Sequence, residues 1–213
     1  MPSNPPPKLC PKIILEGTRL THKTDIAFRL NEDPRIVGPR RYRYHSPIIS
    51  AEWCGFTNRP WGRGLINFQP DEAGRAMETY RTWVRLFELL KYYSWIVDRF
   101  HISTLVYQSG RGRKYDFSWL EKRLLPLGFG IVLCTRDEET FAAARRGRLK
   151  VSGAPDQYDD IDHFIREQKA YLQAVRASSL PHLEVDVSGG DLEHVCERIA
   201  DWLDENGLLG FRE

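Results

Sequence analysis

The chain has 213 residues, 41% of them hydrophobic and 28% charged, which suits one large domain or two small ones with a full apolar core. A formal net charge of +2 argues against a surface that binds nucleic acid wholesale, so any basic function must come from local clusters. No apolar run approaches the ~20 residues of a membrane span. The first residues, Met1 to Pro7, lack the charged and apolar regions of a signal peptide, which points to the cytoplasm.

Residues 1 to about 11 carry Pro2, Pro5, Pro6, Pro7 and Pro11 and read as an extended tail; a single domain is expected from 12 to 213. The first short apolar run, 12–16, reads as a buried strand that stops at Gly17, and 23–30 reads as a helix. A second strand is expected at 35–37, before Gly38-Pro39, followed by a long loop from about Arg40 to Pro70. From Asp71 to Tyr93, Ala76, Tyr80, Trp83, Val84, Phe87, Leu90 and Tyr93 recur at helical spacing. Strands are expected at 94–97, 129–134 and 182–187, with helices near 158–177 and 191–205. Such alternation predicts an α/β domain: a five-stranded, mainly parallel sheet with helices on both faces. In sheets of this kind ligands bind beyond the strand carboxyl ends. The four cysteines, Cys10, Cys54, Cys134 and Cys196, are too scattered for a disulfide framework or a zinc centre.

After the first strand comes Gly17-Thr18-Arg19-Leu20-Thr21-His22-Lys23-Thr24. This fits the phosphate-binding pattern G-x-x-x-x-G-K-[ST], except that His22 replaces the second glycine. The pattern has a physical basis: backbone N–H groups and a helix N-terminus hold phosphates, the lysine neutralises them, and the hydroxyl ligates Mg²⁺. Three cationic clusters follow successive strands: Arg40, Arg41 and Arg43; Arg111, Arg113 and Lys114; Arg145, Arg146, Arg148 and Lys150. Arginine forks suit phosphate recognition, although any one run reads equally as a solvated face. Trp83, Phe87, Tyr92, Tyr93 and Trp95 read as core, and Asp156, Asp159, Asp160 and Asp162 as helix-start carboxylates. His45, His101, His163, His182 and His194 have no metal or triad spacing and receive no role.

The third strand ends in Asp98-Arg99-Phe100, followed by a Ser/Thr-bearing helix start that closes in Tyr107-Gln108. Together with Glu16-Gly17 ahead of the loop and the arginine-rich Arg145-Arg146-Gly147-Arg148, this resembles the thymidylate kinase and deoxynucleoside kinase branch of the P-loop kinases, from about Lys12 to Gly207. The resemblance implies a three-layer P-loop NTPase-type fold using ATP and Mg²⁺. It implies that Lys23 binds the donor phosphates and Thr24 the metal, with Gly17, His22 and Arg146 also on the nucleotide. Glu16 matches a base or metal-shell carboxylate, Asp98 a second carboxylate near the metal, and Arg99 a clamp on the reacting or acceptor phosphate. Arg145, Arg146 and Arg148 would close as a lid. Arg40 and Arg41 resemble the acceptor-phosphate position, without the usual R-E-P-G wording, and Arg81 is assigned to the substrate with them.

The expectation is an ATP-dependent phosphotransferase acting on a nucleoside, nucleotide or related small molecule. The alternatives are a nucleotide-binding or regulatory protein with impaired catalysis, and a kinase for a nucleic-acid end or modified base. A homodimer is left open.

Overall fold

The computed structural model describes residues 9–37, 48–59 and 62–210. Five strands form one parallel sheet in the order β2-β3-β1-β4-β5: β1 (Lys12–Glu16), β2 (Ile48–Ser50), β3 (Trp95–Asp98), β4 (Phe129–Thr135) and β5 (His182–Asp186). Residue alternation sorts the strand side chains onto two faces. Ile14, Val97, Ile131 and Leu133 face α3 (Ala73–Leu89), α4 (His101–Ser109), α5 (Ser118–Leu124) and α7 (Ile161–Arg176). Ile13, Leu15, Val132 and Cys134 face α1 (Lys23–Glu32) and α8 (Leu192–Glu205). With apolar helices on both sides, a continuous hydrophobic strand is the stable solution, which is why β1 and β4 show no polar alternation.

Four of the five expected strands form where the apolar runs predicted. The second does not: 34–37 forms the short helix α2 (Pro34–Val37), and β2 lies eleven residues or more further on, inside the expected long loop. The cause is local. Asp33 Oδ1 accepts the Arg35 N–H at 2.8 Å, and Pro34 sits at the first helical position, where its missing N–H costs nothing. Ile36 is still buried, against the α1–α8 face, so its hydrophobicity marked burial rather than a strand.

The long helix ends at Leu89, and Tyr92 and Tyr93, read as core, are 41% and 48% exposed. At the N-terminal end of the described residues, Leu9 bridges Gly210, and the buried Cys10, placed by the sequence in the tail, donates its N–H to Leu209 O at 2.8 Å. Among the described residues no helix is long and apolar enough to cross a membrane.

Candidate active site

The carboxyl ends of β1 and β3 lie side by side, so the loop after β1 and the Asp98-Arg99 pair after β3 meet at one edge. Gly17 opens the loop at φ 140°, and a Cβ there would collide with Cys134 O of β4. Only glycine allows the strand to turn this close to its neighbour. The loop closes through Leu20 and His22, both left-handed at φ 68° and 55°. His22 therefore occupies the backbone conformation that favours the motif's second glycine, which it replaces at a modest strain cost. Its ring points away from the loop interior, with Nδ1 3.0 Å from Asp25 Oδ2 on the exposed side of α1.

Lys23 is buried, and its ammonium turns back into the loop, donating to Thr18 O at 2.5 Å and Thr21 Oγ1 at 3.1 Å. Burial, reinforced by the Arg99 charge, pushes its pKa down to about 8. Thr24 Oγ1 donates to Asp98 Oδ2 at 2.6 Å, while Asp98 Oδ1 is buried without a hydrogen-bond partner. An orphaned carboxylate oxygen beside a hydroxyl is the donor set Mg²⁺ takes from a protein when phosphates and waters complete its shell. Among the described residues no cluster of three or more His, Cys, Asp or Glu could hold a metal by itself, so the fit is to that shared mode.

Arg99 follows at φ 63°, buried and turned into a cleft of about 280 Å³. Its Nη1 donates to Tyr171 Oη at 2.8 Å, and its Nε lies 3.1 Å from Glu52 Oε2 as an ion pair rather than an aligned hydrogen bond. Burial opposes the charge on Arg99, but Tyr171, Glu52, Glu167 and Asp98 outweigh it and raise its pKa. Glu52 sits just beyond β2, between Arg99 and Arg19, with Arg19 Nη1 3.7 Å from its Oε1. The Arg99 charge, with smaller help from Arg19 and Lys23, holds the Glu52 carboxyl below the usual range, so it is ionised at neutral pH.

Glu16 is fully buried. Its Oε1 accepts the N–H groups of Phe100 at 2.9 Å and Ser103 at 3.3 Å, and its Oε2 accepts Ser103 Oγ at 2.5 Å. Burial raises its pKa against these bonds. Both oxygens are thus committed to the N-terminus of α4, where a carboxylate completes the free amides and complements the dipole. Glu16, expected as a base or metal-shell carboxylate, anchors that helix in this structure.

The α6 (Phe141–Leu149) arginines stand apart from the cleft. Arg145 donates to Tyr158 O at 2.7 Å and pairs with Asp159; Arg148 donates to Tyr158 Oη at 3.1 Å with its guanidinium 5.9 Å from the ring centre; Arg146 is exposed. Arg81, expected at the substrate, is on the outer face of α3, beside Glu78 at 3.6 Å and 5.8 Å from the Trp119 ring centre. It is not among the residues that line the cleft. Arg40 and Arg41 lie outside the described residues. Arg113 braces the cleft wall from behind, donating to Phe68 O and Gln69 Oε1.

Sequence reasoning missed Glu52, Arg19, Ser103, Glu167 and Tyr171, all of which line the cleft, as does His163. A lone carboxylate in an irregular loop leaves no spacing signal. Tyr171 did leave one: a hydroxyl on the α7 face that also carries Phe164 and Val175.

No family model matches the sequence, and no curated protein matches it significantly. Solved structures do. The YorR protein of Bacillus subtilis, solved in complex with phosphorylated GDP, is 19% identical with a TM-score of 0.59 over 92% of this chain and 97% of its own. Thymidylate kinase from Candida albicans is 18% identical with a TM-score of 0.55, covering 94% of this chain and 93% of its own. Thymidylate kinase from Ehrlichia chaffeensis is 14% identical with a TM-score of 0.55, covering 91% and 98%. Likeness at these identities is likeness of architecture, and it places the chain in the three-layer α/β fold that these P-loop kinases share.

Proposed function

We propose that the chain is an ATP-dependent, Mg²⁺-assisted phosphotransferase whose acceptor is a hydroxyl of a nucleoside or related small molecule. The observation that carries the reading is the convergence of Lys23, Thr24, Asp98 and Arg99 on one loop edge, with Asp98 Oδ1 left without a partner. Phosphoryl transfer asks a protein mainly for positioning and charge neutralisation, and these residues supply both. Mg²⁺, when bound, neutralises charge on the transferring phosphoryl group. Thr24 and Asp98 would hold it. Lys23 would exchange its two loop acceptors for donor phosphate oxygens, and at a pKa of about 8 it is mostly protonated at neutral pH.

Glu52 favours the hydroxyl acceptor over a phosphate. An ionised carboxylate against Arg99 repels a second anion there but accepts a proton from a hydroxyl placed beside it. Arg145, Arg146 and Arg148 would reach the site only after leaving their present partners, as a closing lid does.

His22 supports one competing reading, a nucleotide-binding protein with impaired transfer. Its left-handed backbone strains the loop, and the loop's own oxygens already satisfy Lys23. Calorimetry with a non-hydrolysable ATP analogue and Mg²⁺, followed by a transfer assay across a nucleoside panel, separates the two. Binding with transfer supports the proposal, binding without transfer favours the impaired protein, and no binding overturns both.

A further inference from the structure

One face of α7, the helix after the arginine-bearing α6, touches the segments that follow β1, β3 and β4 at the carboxyl edge. Glu167 accepts Thr18 Oγ1 of the phosphate loop. Gln168 closes two bonds on the backbone of Arg136 after β4, accepting its N–H and donating to its carbonyl, each at 2.8 Å. Tyr171 accepts Arg99 Nη1 at 2.8 Å and lies 2.8 Å from Ser103 Oγ. Packing alone needs none of these polar groups, because Phe164 and Val175 already fill the same face.

We propose that Tyr171 is a positioning residue: its hydroxyl fixes the Arg99 guanidinium in the cleft and closes a directed hydrogen-bond chain from Arg99 to Glu16. The direction follows from counting protons. Arginine can only donate, and a hydroxyl has a single proton to give. Arg99 donates to Tyr171, and Ser103 Oγ gives its single proton to Glu16 Oε2, so the Tyr171 proton must go to Ser103 Oγ. Each hydroxyl uses its one proton, and the two hydroxyls join the buried Arg99 guanidinium to the buried Glu16 carboxyl. Such a chain holds one rotamer of Arg99 against the alternative of turning fully onto Glu52, which offers the guanidinium its other partner.

The inference rests on the phosphotransferase reading only for its kinetic consequence; the geometry of Arg99 is testable without turnover. Tyr171→Phe keeps the ring and removes the oxygen. In ¹⁵N spectra of arginine side chains, wild-type Arg99 should show a slowly exchanging guanidinium signal, and Tyr171→Phe should lose it. Ser103→Ala should keep that signal while raising the Glu16 pKa, read by ¹³C carboxyl titration, because the chain is cut on the far side of Tyr171. If the protein transfers phosphate, Tyr171→Phe should lower kcat by about 10- to 100-fold, the range expected for a misplaced catalytic group, with KM for ATP unchanged. An unchanged Arg99 signal in Tyr171→Phe overturns the proposal. So does a loss of activity that merely tracks a loss of thermal stability. A changed Arg99 signal in a protein that transfers nothing upholds the positioning role and removes the phosphotransferase reading instead.

Discussion

Arg99 and Arg148 carry the same charge, and the resemblance to nucleoside and nucleotide kinases gave both to the same reaction, yet the protein holds them in opposite ways. Arg99 is buried, fixed by a left-handed backbone, and bonded to groups from α7 and the end of β2. Arg148 lies on the exposed side of a helix whose partners, Tyr158 and Asp159, belong to its own stretch of chain. The electrostatic reach of Arg148 still extends to Asp25 and Glu52, lowering the pKa of each as a minor contributor. On the proposed reading the site has a floor assembled in advance, made of Lys23, Thr24, Asp98 and Arg99, and an outer wall that would have to rearrange to serve. A floor residue should cost activity whatever the ligand state, and a wall residue only when a ligand draws the wall in.

The largest effect should come from the floor itself. Lys23→Ala should reduce phosphate transfer by about 10³-fold, with an unchanged circular dichroism spectrum, because an oriented cation acting on developing charge is removed. The next effect needs no substrate. Lys23 binds its proton less tightly in the folded chain, at a pKa of about 8, than at its ordinary 10.5. Below pH 8 both states are protonated and the fold bears the full cost; between pH 8 and 10.5 the unfolded chain binds more protons, so stability rises with pH. Denaturation midpoints should show wild type gaining about 3 kcal/mol over that window relative to Lys23→Met. A flat difference would mean the ammonium is better solvated than its burial indicates.

Arg99→Gln should cost about 10²-fold in transfer and about 2 kcal/mol of stability, since Tyr171 and the half-exposed Glu52 lose a charged partner. Arg148→Ala should leave the melting temperature unchanged and lower kcat by about tenfold, one increment of transition-state charge. Equal stability losses for the two arginines would erase the distinction between floor and wall. The smallest effect belongs to His22→Gly. Relieving a left-handed non-glycine residue should stabilise the loop by about 1 kcal/mol and raise ATP affinity a few-fold by calorimetry. A large loss of affinity would instead make the imidazole a ligand contact.

These contrasts also explain what the sequence could reveal. β1, β3 and β4 announced themselves as apolar runs because helices cover both faces of the sheet there, whereas β5, at the far edge, mixes Leu183 and Val185 with polar residues. β2 is three residues long at the sheet edge, and its signal was weaker than that of Arg35-Ile36-Val37, which Asp33 and Pro34 turn into a helix. The floor was legible because Gly17, Lys23, Thr24, Asp98 and Arg99 come from two contiguous motifs whose spacing is set by a strand and its following turn. Glu16 was visible as a carboxylate but its partners were not: its type and place suggested chemistry, and its neighbours are the amides of α4. Glu52, Glu167 and Tyr171 come from other parts of the chain and join the site only through tertiary packing, which no local pattern records.

That packing has a consequence for how the protein is made. Thr24 meets its partner Asp98 across 74 positions, Glu16 meets Ser103 across 87, and Thr18 meets Glu167 across 149. A nascent chain emerging from the ribosome carries the whole phosphate loop early, but the contacts of Thr18 and Arg99 with α7 form only once that helix has been synthesised and has closed these long loops against their entropy. Fragments ending before Ile161 should contain every motif residue and, on the proposed reading, bind nucleotide more weakly than the full chain. If the chain binds nucleotide as proposed, the ligand would stabilise finished molecules and leave truncated ones to the proteases.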